Sequence, residues 1–467
     1  MVAKVEWHPG ELYPRVGFIV SNLTRPAARV VAFDIQRGTA EQWIKEGKGA
    51  IEWTRLACRS FGGAARAERV ETPIVEDQEL DAAEGVPRSR CQSPLPAAGR
   101  DRQIMLMTSQ SIAEIPVFEV GLLPSADLCR QNLDRVRNLI DEALSRRSHL
   151  LLPLATRLLD QVSHSWLVRQ ASPYLEEIRQ VASAVGQPGA YFLNTIYEWA
   201  CSTSAAPDPG GPGARMIRVL DWGLSGIGAH VVIARHETRH GAFLNPTWPG
   251  YAGVVTAMAP GRFAAAINQG PRMPVLGINL IDGIVTHLQV LAARDAVPAA
   301  HLLRRTFEDA ADFERAVEIL SDEAVAIAMP ALFVIAGVEH EHCCVVEAWG
   351  SKRRVHYAGT SAPLGLGVAN QWLSPDLAGR ARTVPGATTH PEVDNLARRT
   401  IVTELQRGAF NGASDLPEPV INRHTVMVVT ANAREGEMTV EALDSALGQS
   451  IPCVVARRTL CEAPTAQ

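Results

Sequence analysis

The sequence predicts an α+β fold in which helices pack outside stacked antiparallel sheets. Three observations predict it. Helical and strand-like blocks alternate in long runs: helix over 114–200, strand over 201–290, helix over 291–324, then strand, helix and strand again. The strand blocks are short β-branched runs broken by Gly, Pro and Asn, which is hairpin chemistry. Long antiparallel runs of this kind favour stacked sheets over a doubly wound fold. Composition sets the outer bounds. With 467 residues, 46% hydrophobic and 20% charged, the chain is not a disordered segment, a coiled coil or a collagen-like fibre. A formal net charge of −5 argues against a whole-protein nucleic-acid binder. The eight cysteines include no CxxC pair, so a reduced, cytoplasmic protein without a disulfide framework is expected. MVAKVEWHPGELYPR lacks an apolar signal core and no run of 18 apolar residues occurs, so neither a leader nor a membrane span is expected.

Residues 1–62 hold two strand-type runs, GFIVSNL and ARVVAF, and then AEQWIKEGKGAIEWTRL, a helix that Thr39 can cap and two glycines weaken. Nine Lys or Arg against six Asp or Glu make this block basic and the remainder more acidic. Residues 63–113 read as linker: GGAARAERVETP and PRSRCQSPLPAAGRDRQ can bury little. DLCRQNLDRVRNLIDEALSRR has apolar steps of three and four, and SPYLEEIRQVASAV is a second helix with Ser172 as cap and Pro173 in its first turn. After YFLNTIYEWA come Cys201–Ala206, the turn PDPGGPG, and the strands ARMIRVLDW, AHVVIARHE, YAGVVTAMA and RFAAAINQG, read as one antiparallel sheet with a wall on the core. VPAAHLLRRTFEDAADFERAVEILSDE gives two helices broken near Asp309 or Asp312. ALFVIAGVEHEHCCVVEAWG gives a hairpin, VDNLARRTIVTELQRG a helix, and HTVMVVTANAREGEMTVEAL a late strand and turn.

Few residues here invite chemistry. Cys201 opens the polar run CSTS; it is either a nucleophile or a buried small hydrophobe, the usual state of a free cysteine. Arg218 and Asp221 in RVLDW are charges on an apolar strand, and an unpaired buried charge is costly, so each needs a partner. Asn268 in AAAINQG and Asn370 in VANQW are turn formers or amide donors to an oxyanion. His340 and His342 in EHEH, with Glu339 and Glu341, mimic a metal site on one strand face, but spacing supplies no third ligand and a solvated hairpin tip is the plainer reading. His236 and His240 in HETRH do not form HExxH. Gly365 and Gly367 follow no βαβ pattern. Arg304 and Arg305, balanced by Glu308, Asp309 and Asp312, read as a solvated helix face. No cofactor and no metal is implied.

Taken in order, the motifs over about 114–430 resemble the N-terminal-nucleophile amidases of the acid ceramidase and N-acylethanolamine acid amidase group, with penicillin acyltransferase-like proteins as more distant relatives. NTIYEWACST resembles the family's cleavage junction, RVLDW its Arg-Asn-Leu-Asp-aromatic motif, GYAGVVTAMAPGRFAAAINQ its glycine-rich stretch ending in Asn, and VANQW its Thr-Asn-aromatic segment. NLARR is similar to its Arg-bearing helix, at Arg398. The resemblance implies a four-layer α-β-β-α fold over 114–467 and self-cleavage between Ala200 and Cys201, leaving a terminal cysteine whose amine serves as base. It implies that Arg218 and Asp221 hold and polarise that terminus, Asn370 donates to the oxyanion, Asn268 positions the acyl carbonyl, and Tyr197 and Glu198 lie beside the cleavage. The implied activity is hydrolysis, or transfer, of a linear acyl amide, a small-molecule substrate. Two departures stand out. Ser202 and Thr203 follow the cysteine where Thr-Ser is usual, and Val219 replaces the Asn beside the nucleophile. The alternatives are an inactive amidase-like protein and a transposase-related DNA-binding remnant.

That last alternative comes from residues 1–62, which resemble the late catalytic region of a DDE transposase. Arg37, Glu41 and Lys48 match the spacing of its Tyr-x2-Arg-x3-Glu-x6-Lys signature, with Asp34 at the Tyr position. The resemblance makes Glu41 a third metal carboxylate. Two-metal chemistry needs further carboxylates, expected upstream, so a relic is anticipated here and not a working domain.

Overall fold

The computed structural model describes residues 2–6, 15–19, 112–145, 152–195, 199–224, 226–271, 293–359, 365–377, 391–445 and 451–463. The chain divides into two units, 1–104 and 105–467. In the first, β1 (Val2–Glu6) pairs antiparallel with β2 (Arg15–Ile19) from Val2↔Ile19 to Glu6↔Arg15. β2 overlaps the start of the expected GFIVSNL strand. Asp34, Arg37, Glu41 and Lys48, the expected helix after Thr39 and nearly all of the expected linker lie outside the described residues.

The second unit runs β3 (Ala113–Glu114), β4 (Val117–Val120), α1 (Pro124–Gln131), α2 (Leu133–Ser145), α3 (Leu152–Val168), α4 (Leu175–Val185) and the single turn α5 (Ala190–Leu193). It continues with β5 (Trp199–Pro207), β6 (Ala214–Trp222), β7 (Val232–His236), β8 (Phe243–Thr247), β9 (Thr256–Ala259) and β10 (Phe263–Gln269). Then come α6 (Ala299–Asp309), α7 (Phe313–Ser321), β11 (Ile327–Gly337), β12 (Cys343–Gly350), β13 (Lys352–Tyr357), β14 (Leu366–Val368), α8 (Pro391–Glu404), β15 (Thr425–Asn432), β16 (Glu437–Asp444) and β17 (Cys453–Cys461).

The strands form two sheets, ordered β13-β12-β11-β10-β9-β8-β7-β4 and β14-β5-β6-β15-β16-β17-β3. Most neighbours are antiparallel; β4 with β7 and β17 with β3 are parallel, so both sheets are mixed. Their facing sides share one core, in which Met216 and Leu220 of β6 and Met427 and Val429 of β15 join Ala264, Ala266 and Phe333 of β10 and β11. Helices α6 and α7 cover the eight-stranded sheet, where Phe307 stacks on Phe243 and Phe263 at 5.2 and 4.7 Å between ring centres. The outer side of the seven-stranded sheet is covered by α8 and by residues 413–421, whose Ala413, Leu416, Val420 and Ile421 pack on Val219 and Val428. The result is a four-layer α-β-β-α sandwich, the layering expected above.

Several local expectations are corrected. The strands of 201–290 do not make one sheet: β5 and β6 belong to one layer and β7–β10 to the other. β8 was not anticipated, because Pro246 argues against a strand; its ladder to β9 is reduced to Leu244↔Met258. The long helix over DLCRQNLDRVRNLIDEALSRR breaks at Asn132, whose Nδ2 donates back to the Leu128 carbonyl at 3.1 Å. Ser172 does not cap α4. Its Oγ lies 2.8 Å from His301 Nδ1 and accepts the Tyr174 N–H, so the helix starts only at Leu175. Asp312 does cap α7, accepting from the Arg315 N–H at 2.8 Å. Arg304 is not on a solvated face: it is buried, 2.8 Å from both Glu177 and Glu308, above the Tyr174 ring. One helical step turns it inward while Arg305 stays exposed.

Among the described residues no helix is long and apolar enough to cross a membrane.

Candidate functional site

Cys201 lies near the start of β5, between β6 on one side and β14 on the other. Strand alternation sorts its neighbours by face. Cys201, Thr203 and Ala205 point between the sheets, with Arg218 and Leu220 opposite them on β6. Ser202 and Ser204 point outward to α8, where Ser204 Oγ donates to the Val402 carbonyl at 2.8 Å. Val219 also faces outward, into the apolar cluster with Ala413 and Leu416. It is therefore on the opposite face from the thiol, and the expectation that it stands beside the nucleophile is corrected by the two-residue period of the strand.

Arg218 has the partners its burial demands. Its guanidinium donates to Thr203 Oγ1 at 3.0 Å, to Asn268 Oδ1 at 2.7 Å and to the Ile267 carbonyl at 2.9 Å. Asn268 comes from β10 in the other sheet. Its Oδ1 also accepts the Thr203 hydroxyl at 2.6 Å, and its Nδ2 donates to the carbonyls of Val368 and Ala369 at 3.2 and 3.0 Å. This one amide ties the two sheets together across the core.

Asn370 follows β14. Continuing the Val368↔Thr203 register two residues brings it opposite Cys201. Its Oδ1 accepts the Cys201 N–H at 2.8 Å, and its Nδ2 donates to the Gln269 carbonyl at 2.9 Å. Arg398 reaches the same point from α8. It donates to the Cys201 carbonyl (2.9 Å), Ser202 Oγ (3.3 Å), Asn370 Oδ1 (3.2 Å), Asn395 Oδ1 (2.8 Å) and Asp394 Oδ2 (3.0 Å). The helix can come this close because position 367 is glycine; a Cβ there would stand 1.9 Å from Thr403 Oγ1. Cys201, Arg218, Asp221, Asn268, Asn370 and Arg398 are all fully buried.

Asp221 lies opposite Ala200 in the β5–β6 ladder. Its carboxylate accepts from Thr425 Oγ1 at 2.7 Å and from Asn422 Nδ2 at 2.8 Å. Thus the group that meets the Cys201 nitrogen is Asn370, where Arg218 and Asp221 were expected to hold that terminus. Burial pushes the Cys201 thiol up, and Arg218 pulling downward does not overcome it. Burial likewise pushes the Asp221 carboxyl up to about 6, against the opposing pull of Arg398, Thr425 and Asn422.

A pH dependence follows. With a folded value near 6 and an unfolded one of about 3.9, native Asp221 keeps its proton where the unfolded chain has lost it. Its contribution to stability is full below about pH 4 and is lost as pH rises through about 6. The unfolding free energy of the wild type minus that of Asp221→Asn should fall by roughly 3 kcal/mol between pH 4 and pH 7. Urea titrations across that range check it; a flat or rising difference contradicts it.

A second polar cluster was not legible in the sequence. Glu347 on β12 accepts from the N–H groups of Leu373 and Ser374, from Ser374 Oγ, and lies 2.9 Å from His356 Nε2. Ser, His and Glu are the residue types of a serine hydrolase, but the geometry is not. His356 Nε2 faces both Glu347 and Ser374 Oγ (3.3 Å), and the hydroxyl donates to the carboxylate. A triad needs one ring nitrogen on the serine and the other on the acid. The cluster instead anchors the segment just after Asn370.

The metal-like histidines sit in the turn between β11 and β12, not on a strand face. His342 stacks on Phe313 at 4.6 Å and has Nε2 3.3 Å from Glu314, while His340 Nε2 is 3.3 Å from the Gly211 carbonyl. His236 is buried on β7, stacked on Phe243 at 4.3 Å. Among the described residues no group of three or more His, Cys, Asp or Glu is placed to hold a metal. Tyr197 and Glu198 lie outside the described residues.

No family model matches the chain, and no curated protein does. Among solved structures it is similar to a Caenorhabditis elegans ortholog of N-acylethanolamine-hydrolyzing acid amidase, with 19% identity over 50% of this chain and 93% of that one, at a TM-score of 0.39. Two structures of the conjugated bile acid hydrolase of Clostridium perfringens, a mutant and a variant, align with 10% and 12% identity over 57% of this chain and 99% of each, at TM-scores of 0.32 and 0.31. Likenesses this remote carry no weight on activity, which is argued below from the chain's own geometry.

Proposed function

We propose that this chain is an N-terminal-nucleophile hydrolase of linear acyl amides, with Cys201 released as nucleophile by self-cleavage after Ala200. The observation that carries the reading is the hydrogen bond from the Cys201 N–H to Asn370 Oδ1, on an amide that Arg398 also holds. A buried cysteine serving only as core would need no such polar surround.

In the uncut chain Sγ attacks the Ala200 carbonyl carbon. The bond to the Cys201 nitrogen breaks, that nitrogen keeps the thiol's proton, and a thioester joins Ala200 to Sγ. Water hydrolyses the thioester and leaves an Ala200 carboxylate, a free amine and a free thiol. An α-amine titrates at about 7.7–8.0 and can take the thiol's proton near neutrality. The thiolate then attacks the substrate's acyl carbon, the amine returns the proton to the departing amine, and water cleaves the acyl-thioester. A second amine in place of water would make the same site a transferase. Asn370 is assigned to the oxyanion, where losing an amide donor costs about 2.7–4 kcal/mol of barrier. Asn268 and Arg218 keep the acyl carbonyl's surroundings rigid, and Arg398 and Asp221 frame the cysteine from outside.

Intact mass and N-terminal sequencing of the purified protein test this. The expected products are residues 1–200 and 201–467, the second beginning Cys-Ser-Thr, in a preparation that hydrolyses an N-acyl aminocoumarin. A chain that stays whole and inert supports the inactive amidase-like reading instead.

A further inference from the structure

We propose that Asn395 is a positioning residue for this site: through its side-chain oxygen, α8 sets the place of Asn370, and so of the amide oxygen that meets Cys201. The inference rests on the amidase reading above. The β14–β5 ladder ends at Val368↔Thr203, so the Asn370 N–H has no strand partner and donates instead to Asn395 Oδ1 at 2.7 Å. The same oxygen accepts Arg398 Nη2 at 2.8 Å, which in turn lies 3.2 Å from Asn370 Oδ1. One acceptor on α8 therefore fixes both ends of the residue, its main chain directly and its side chain through Arg398.

Three features argue that this is positioning and not merely packing. Asn395, Asp394 and Arg398 are at i, i−1 and i+3 on one helix face, all buried, so the helix presents a prebuilt polar edge to the end of β14. The segment after Asn370 is separately anchored by Glu347, which holds Leu373 and Ser374, so Asn395 fixes the near end of a stretch whose far end is already tied. Finally, the bonded target is the residue that touches Cys201, not a remote loop.

The test uses the full chain and three variants. Asn395→Asp keeps an oxygen for both donors; Asn395→Ala removes it; Asn395→Thr, a milder loss, serves if the alanine variant does not fold. Cleavage at 200/201 is followed by intact mass at fixed times after cell-free synthesis, and kcat and KM are measured on an N-acyl aminocoumarin, with unfolding midpoints alongside. A misplaced catalytic group costs up to ~100-fold. N395A should slow self-cleavage and lower kcat by at least ~10-fold with KM little changed, N395T should fall between, and N395D should stay within about threefold of wild type. Wild-type cleavage and turnover in folded N395A overturn the inference while leaving the amidase reading intact, as does N395D failing as badly as N395A. A wild-type chain that remains uncut and inert overturns both.

Discussion

Replacing Cys201 with alanine should leave the chain whole at 200/201 and abolish turnover, while the fold survives. The side chain removed is one buried sulfur, and its loss should cost about 1 kcal/mol, the central value for point substitutions. The β5–β6 ladder, the Arg218–Asn268–Thr203 bonds and the Arg398 contacts to the Cys201 carbonyl do not involve that sulfur. Chemistry and folding therefore separate cleanly in this variant. Mass spectrometry should find residues 1–467 as one chain where the wild type gives two, and the urea midpoint should move little. A variant that still splits before position 201, or still hydrolyses acyl amides at the wild-type rate, would remove Cys201 from the mechanism.

Replacing Arg398 with methionine should be far more damaging to the fold. Arg398 is fully buried and serves five acceptors, including the Asp394 carboxylate. Methionine retains the apolar stem and removes the charge, which leaves Asp394 buried without its cation. Breaking a buried ion pair from one side costs about 3–5 kcal/mol. Arg398→Lys should recover only part of this, because a lysine ammonium cannot span Asp394, Asn395, Asn370 and the Cys201 carbonyl as a planar fork does. Chemical unfolding of the three proteins checks the order wild type, lysine, methionine. An Arg398→Met chain as stable as wild type would mean that the cluster is not holding α8 against β5.

The layering of the fold was readable from pattern. Alternating blocks of helix and β-branched hairpin, with no βαβ rhythm, announced helices outside stacked sheets. What pattern could not reveal was which hairpin belonged to which sheet, since β6 and β7 are both short, apolar and bounded by turns. Pro246 hid β8 by a correct local rule that the sheet overrode. Asn132 and Ser172 were misassigned because a polar side chain near a helix end can bond to several nearby partners, and the distant neighbour decides.

At the candidate site the legible part was chemical need. An arginine and an aspartate on an apolar strand had to find partners, and both did. Asn395 and Glu347 left no such mark, because a helix asparagine and a strand glutamate read as surface residues until a distant main-chain N–H is placed beside them. Val219 misled for a related reason: adjacency in sequence is opposition in a strand.

By itself, the sequence determined the residue types available for chemistry, their order along the chain, and the hydrophobic periods that make strands and helices, because those depend on near neighbours only. The tertiary structure alone decided that Asn370 meets the Cys201 nitrogen, that Asn268 bridges two sheets, and that one oxygen on α8 serves both Asn370 and Arg398. Hydrogen bonds form between groups brought within about 3 Å of each other, and positions from 201 to 398 are brought that close only when two sheets and a helix close over the same point.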